Sequence, residues 1–152
     1  MPYFNVSRNV PYSADLVFAI ARDVKNYQEF LPLIKRSAER NRAVLEDGRE
    51  CFDGELLISY PKLGIQEVLA SRVTVDAQQL SVRAESSRSP VKRLVAEWKI
   101  IARSDVSCDI TFLVDYELKS RTLQFVLSGM FDLAVRKVMN AFEQRARLLY
   151  GA

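Results

Sequence analysis

Cys108, Ile110, Phe112, Val114, Tyr116 and Leu118 fall on one parity of the chain, and Asp109, Thr111, Asp115 and Glu117 fall on the other. A period of two marks a β-strand with one buried and one wet face, as antiparallel sheets have. Leu94, Ala96, Trp98, Ile100 and Ala102 repeat the pattern, and Ser104-Asp105 separates the two runs. Upstream, Tyr3 to Val10 reads as a first strand ended by Pro11. Ser13 is a good helix N-cap, and Leu16, Val17, Ile20, Ala21 and Val24 give the next segment an apolar stripe. A second short helix is expected around Asn26–Leu33, stopped near Pro32. The period then changes. Ile34 to Asp47 reads as a long polar strand, and Asp47-Gly48 as a hairpin turn. Cys51–Tyr60, Glu67–Asp76 and a short run at Leu80, Val82 and Ala84 supply further strands. Pro61 and Gly64 flank a connection that leaves Leu63 and Ile65 as exposed apolar positions. From Thr122 to Tyr150, Leu123, Leu127, Met130, Phe131, Ala134, Val138, Ala141, Phe142 and Leu149 recur in steps of three and four. That predicts one helix of roughly 42 Å.

The order is one strand, two short helices, about six strands and a long helix. This is an α+β arrangement and not βαβ, so a Rossmann sheet is unsupported. The sheet needs a cover for its apolar face, and the terminal helix is the element long enough to provide it. The expected architecture is a curved antiparallel sheet wrapped around that helix, with residues 1–152 forming one domain.

Composition narrows the chemistry. Apolar residues make up 49% of the 152 positions and charged residues 27%, the balance of an ordinary globular chain. Histidine is absent, which removes Ser-His-Asp and Cys-His catalysis and HExxH metal sites. Cys51 and Cys108 form no CxxC, so no usual zinc site is expected. The N-terminal residues carry no basic region followed by an apolar run, and no apolar stretch nears the length of a membrane span. A cytoplasmic protein with free thiols is the expectation. The formal charge of +3 is concentrated at one end: residues 119–152 hold six basic and two acidic side chains. That bias suits phosphate, whether of lipid headgroups or of RNA, although solvation alone also accounts for it.

Phosphate-binding glycine loops and calcium loops are missing. Most carboxylates sit at the wet phase of strands. Glu67 follows the Gly64 connection near the sheet's open end, as a rim charge or a cavity carboxylate, and Lys119 and Arg121 flank the start of the last helix as rim or headgroup contacts or as plain surface charge. Aromatic and flexible apolar residues gather near the predicted groove. They are Tyr27, Phe30, Leu31 and Leu33; Leu56, Ile58 and Tyr60; Phe112, Val114 and Tyr116; and Phe125, Val126, Met130 and Phe131. Such stripes usually fill a core. Gly129 argues for a cavity instead, because a mid-helix glycine costs about 1 kcal/mol relative to alanine and is tolerated where a backbone or ligand comes close or a bend is needed.

Phe4 to Asp15, with its F-x-x-x-R-x-V-P-Y-S-A-D run, resembles START-like, polyketide-cyclase-type domains. Tyr27 to Leu33 looks like the Y-P-x-F-L-P segment of the coenzyme Q-binding protein family. Ser71-Arg72-Val73-Thr74, Val114 to Ser120 and Met139 to Ala146 resemble three further segments of that family, in order along nearly the whole chain. Gln28 stands where the family usually has Pro, and Ile34 where it often has Cys; the first departure is expected to loosen the segment. The resemblance implies a helix-grip fold. It implies ubiquinone or a related prenylated lipid as bound ligand, a quinone chaperone or carrier role in respiratory electron transport and ubiquinone biosynthesis, peripheral contact with the inner membrane, and no covalent cofactor or catalytic residue set. The same family includes RatA-type ribosome-associated toxins, so binding of the large ribosomal subunit, blocking subunit association, stands as the alternative. A cyclase or aromatase needs a base, for which only Glu67 or a tyrosine is at hand. DNA binding has no support.

Overall fold

A computed structural model describes residues 3–151, apart from the side chains of Leu63, Val126, Met130, Phe131 and Asp132. The elements run β1 (Tyr3–Val10), α1 (Ala14–Arg22), a 3-10 segment (Val24–Glu29), β2 (Ile34–Val44), β3 (Glu50–Tyr60), a 3-10 turn (Pro61–Leu63), β4 (Ile65–Asp76), β5 (Ser81–Ser86), β6 (Val91–Ser104), β7 (Ser107–Leu118) and α2 (Arg121–Tyr150). The seven strands form one sheet in the order β1-β7-β6-β5-β4-β3-β2, every neighbour antiparallel. Register shifts interrupt β2–β3 and β6–β7. Such bulges bend a strand and increase its twist, which lets the sheet curl around a helix.

Local chemistry accounts for the boundaries. The Ser13 side chain accepts from the Leu16 N–H at 3.4 Å, and the Ser120 side chain accepts from the Leu123 N–H at 3.1 Å, so both helices are capped. Gly64 closes the β3–β4 connection at φ 65°, a backbone region that suits glycine. The second short helix is a 3-10 segment, held to β2 by Ser37. Ser37 is buried, accepts from the Gln28 N–H at 3.0 Å, donates to the Lys25 carbonyl at 2.8 Å, and receives the Gln28 side-chain oxygen on its own N–H at 2.9 Å. Gln28 therefore tightens this segment rather than loosening it; a proline there would lack the N–H that meets Ser37.

The main core lies on the inner face of the sheet. Val10, Phe52, Val73, Val75, Val82, Trp98, Ile100 and Ile110 meet Val17, Phe18 and Ile20 of α1 and Val135, Met139, Phe142 and Ala146 of α2. The α2 residues are spaced 4, 3 and 4 apart, one face of a helix. Phe142 sits in an aromatic knot, 4.3 Å from Trp98 and 5.4 Å from Phe30 between ring centroids, and Trp98 stacks on Phe112 at 4.1 Å. The C-terminal end of α2 is fastened to α1 and the turn before it: the Tyr12 hydroxyl donates to the carbonyl of Gly151, which follows α2, at 2.9 Å, and the Tyr150 hydroxyl to the Leu16 carbonyl at 3.0 Å. The outer face carries cross-strand ion pairs, among them Arg72–Asp53 at 3.0 Å and Arg93–Asp115 at 2.9 Å.

Candidate functional site

The two halves of α2 meet different surroundings. The C-terminal half is packed into the main core. The N-terminal half faces a second, smaller cluster of Val91, Leu94, Val114, Tyr116 and Leu118, onto which Phe4, Leu69, Ala96, Phe112, Leu123 and Leu127 pack while staying half-exposed. Strand alternation puts Leu56, Ile58 and Tyr60 of β3 on the inner face, opposite Leu69, Glu67 and Ile65 of β4. The apolar members of this set are all half-buried, whereas Phe52 and Val73 farther along the same strands are fully covered. The inner face at the β3–β4 hairpin end is thus an apolar trough that the protein covers incompletely, and Phe112 links it to both clusters.

A polar group lies beside this trough. Gln124 accepts from the Leu118 N–H at 2.7 Å through its side-chain oxygen and reaches the Ser128 hydroxyl at 3.4 Å with its amide nitrogen. Ser128 in turn lies near the buried Tyr116 hydroxyl. Burial pushes the Tyr116 hydroxyl above its ordinary pKa, and the Ser128 contact opposes this, so the phenol remains a neutral donor. Tyr27 is raised far more, chiefly by burial, and donates to the Ala21 carbonyl.

The sequence-derived residues separate into groups. Leu56, Ile58, Tyr60, Phe112, Val114 and Tyr116 line or border the trough, with Glu67 exposed on the same face and Lys119 and Arg121 exposed at the start of α2. Tyr27, Phe30 and Leu31 gather elsewhere. Tyr27 is core; Phe30, Leu31 and Pro32 form one wall of an open groove of about 370 Å³ whose other wall is Lys137, Asn140 and Gln144 of α2. There the Arg145 guanidinium lies 5.2 Å from the Phe30 ring centre and 3.3 Å from Glu29. Val126, Met130 and Phe131 lie outside the described side chains. Phe125 is a correction: it is 82% exposed and points away from the trough, because residues two either side of it, Leu123 and Leu127, take the inward positions. Leu33 is exposed as well. Gly129 is another correction. A β-carbon there meets nothing within 4 Å, so it marks no close approach.

Leu69, Leu123, Leu127, Gln124 and Ser128 were missed as site residues. Leu123 and Leu127 stood in the helical stripe, four residues apart. Leu69 follows from the parity of β4 once its register with Leu56 is known. The polar pair gave no sequence signal, since Gln and Ser on a helix ordinarily face water.

A cleft of about 350 Å³ lies among Arg40, Asp53, Arg72, Glu85 and Arg88, where most charges are already matched. Among the described residues no helix is long and apolar enough to cross a membrane, and the charges of α2 fall mainly in its second half.

An antiparallel sheet packed on one long helix is the helix-grip fold of START-like proteins. Residues 10–143 match the family model described as "Polyketide cyclase / dehydrase and lipid transport", and the chain belongs to that family. It is 27% identical over 152 residues to the ribosome association toxin RatA of Escherichia coli, covering all of this chain and 91% of that protein. It is 32% identical over 146 residues to the mitochondrial coenzyme Q-binding protein COQ10 of Drosophila melanogaster, covering 93% of this chain and 57% of that one. The solution structure of an 18 kDa protein of Caulobacter crescentus superposes with a TM-score of 0.84 at 28% identity, each chain covered completely.

Proposed function

We propose that this protein binds a prenylated lipid of the quinone type, its tail in the trough between the β3–β4 hairpin and the N-terminal half of α2, and serves as a carrier or chaperone for it. The observation that supports this reading is the incomplete cover over Leu56, Ile58, Tyr60, Ile65 and Leu69, next to a core that is otherwise closed. Each apolar Å² of tail removed from water contributes about 25 cal/mol, so a chain of isoprene units supplies affinity without reactive chemistry. The Tyr116 hydroxyl, as a neutral phenol beside Ser128, suits a head-group carbonyl that can only accept. No covalent step is needed. A cyclase reading requires a base, and the carboxylate that β4 places on the trough face, Glu67, is open to solvent.

Lipid extracted from the purified protein and identified by mass spectrometry tests the reading. Leu69→Trp with Leu127→Trp, large side chains on opposite walls, should lower the quinone content about tenfold or more while the thermal midpoint stays within a few degrees, consistent with the loss of one or two isoprene units' burial. Quinone content equal to wild type in that variant defeats the proposal. The rival reading, ribosome binding, draws support from full-length similarity to RatA and from the basic end of the chain. Cosedimentation with ribosomes that weakens as salt rises is its signature.

A further inference from the structure

Outward from the trough, α2 presents a second surface. Arg121, Phe125, Gly129, Leu133 and Lys137 follow one another at intervals of four, and every one is exposed. Phe125 is 82% and Leu133 59% open to solvent, about 12 Å apart along the helix axis. Two large apolar side chains this bare on one helix face, flanked by cations, suit a partner that takes apolar and cationic groups together. The charges around them are mostly basic, with Asp132 the one acidic residue in the sequence from Lys119 to Lys137. Lys119 and Arg121 precede Phe125, Lys137 follows Leu133, and no acidic residue occurs between Lys119 and Phe131. No carboxylate among the described residues pairs with Lys119, Arg121 or Lys137.

We infer that this face docks on an anionic lipid bilayer, with Phe125 and Leu133 entering the headgroup layer and Lys119, Arg121 and Lys137 meeting lipid phosphates. Helices that lie in the interface combine a short apolar face with flanking cations in this way. A nucleic acid would use the cations and leave the leucine and the phenylalanine bare, because no aromatic and basic residues interleave here as base-stacking surfaces require. Gly129 leaves the stretch between the two apolar side chains flat, so both can reach one plane. The inference goes beyond the ligand reading and rests on it for one consequence only: docking by this face sets Leu123 and Leu127, on the opposite side of the same turns, at the edge of the membrane from which a lipid would enter.

Flotation of the full chain with vesicles tests it, using phosphatidylcholine alone and phosphatidylcholine containing phosphatidylglycerol. The protein should float with the anionic vesicles, not the neutral ones, and less so at higher salt. Arg121→Gln and Lys137→Gln should each weaken vesicle affinity about fivefold. Phe125→Ala combined with Leu133→Ala should weaken it about tenfold or more. These positions are exposed, and unchanged circular dichroism checks the fold. In Phe125→Trp, brominated lipids should quench the new indole and leave buried Trp98 emitting. Absence of flotation overturns the inference, as does flotation indifferent to lipid charge or to the apolar substitutions. Loss of ribosome cosedimentation in the same variants without vesicle binding overturns it too and gives the face to the ribosome. Quinone content of the Leu69→Trp, Leu127→Trp protein is read separately, so the two proposals fail independently.

Discussion

Cys108 lies wholly inside the core where β7 pairs with β1 opposite Val10. Burial, with a smaller contribution from neighbouring Asp109, pushes its thiol up to about 11. The folded state thus holds the neutral thiol more firmly than the unfolded chain does. Its contribution to stability is complete below about pH 9 and is lost as pH rises from 9 toward 11, where the unfolded thiol ionises first. Native protein at pH 8 should resist iodoacetamide at Cys108 and label there only after denaturation, a difference that peptide mass mapping reads directly; rapid native labelling would contradict the placement. Other single positions were harder to foresee. Phe125 fell among apolar neighbours on every side, and in a helix segment with Leu123, Val126, Leu127, Met130 and Phe131 the period alone does not say which way a given ring points. Gly129 drew attention as a mid-helix glycine, yet it faces open space. Gly129→Ala should therefore raise the thermal midpoint by about 2–4 °C, the effect of about 1 kcal/mol in a domain of this size. A fall in the midpoint would show that the glycine serves the fold.

At the scale of elements, legibility followed how strictly one face was wet. β1 matches its expected bounds, and the alternation in β7 is visible because Asp109, Asp115 and Glu117 pair with cations on the outer face. β2 ends at Val44 rather than running to Asp47, since the Leu45–Arg49 turn takes the residues after it. β4 starts two residues before Glu67, at Ile65, as soon as Gly64 has turned the chain. The positive φ of Asn41, at 56° beside a bulge in β2, had no signal in a polar strand. The trough itself was legible only as an excess of apolar residues; which of them stay uncovered depends on how far α2 stands from the hairpin, a tertiary quantity. The aromatic knot is deeply buried at Phe142. Phe142, at 1% exposure among Trp98, Phe30 and Tyr27, should cost about 3–5 kcal/mol when cut to alanine, measured by urea denaturation. A loss under 1 kcal/mol would mean that the knot collapses freely.

Across the whole molecule, the sheet brings the chain's beginning beside its end, since β1 pairs with β7 and α2 follows β7 directly. The general plan, one helix against one curved antiparallel sheet, was readable from the element order. The asymmetry along that helix was not, because a continuous 30-residue run hides a change of environment midway. That asymmetry has a kinetic corollary. The C-terminal half of α2 is buried through Val135, Met139, Phe142 and Ala146 and tied down by Tyr12 and Tyr150, whereas among the described residues its first turns rest on a small cluster through the half-covered Leu123 and Leu127. Amide protons should accordingly exchange with deuterium along a gradient, within the opening of a few turns near Leu123 but only on global unfolding near Phe142.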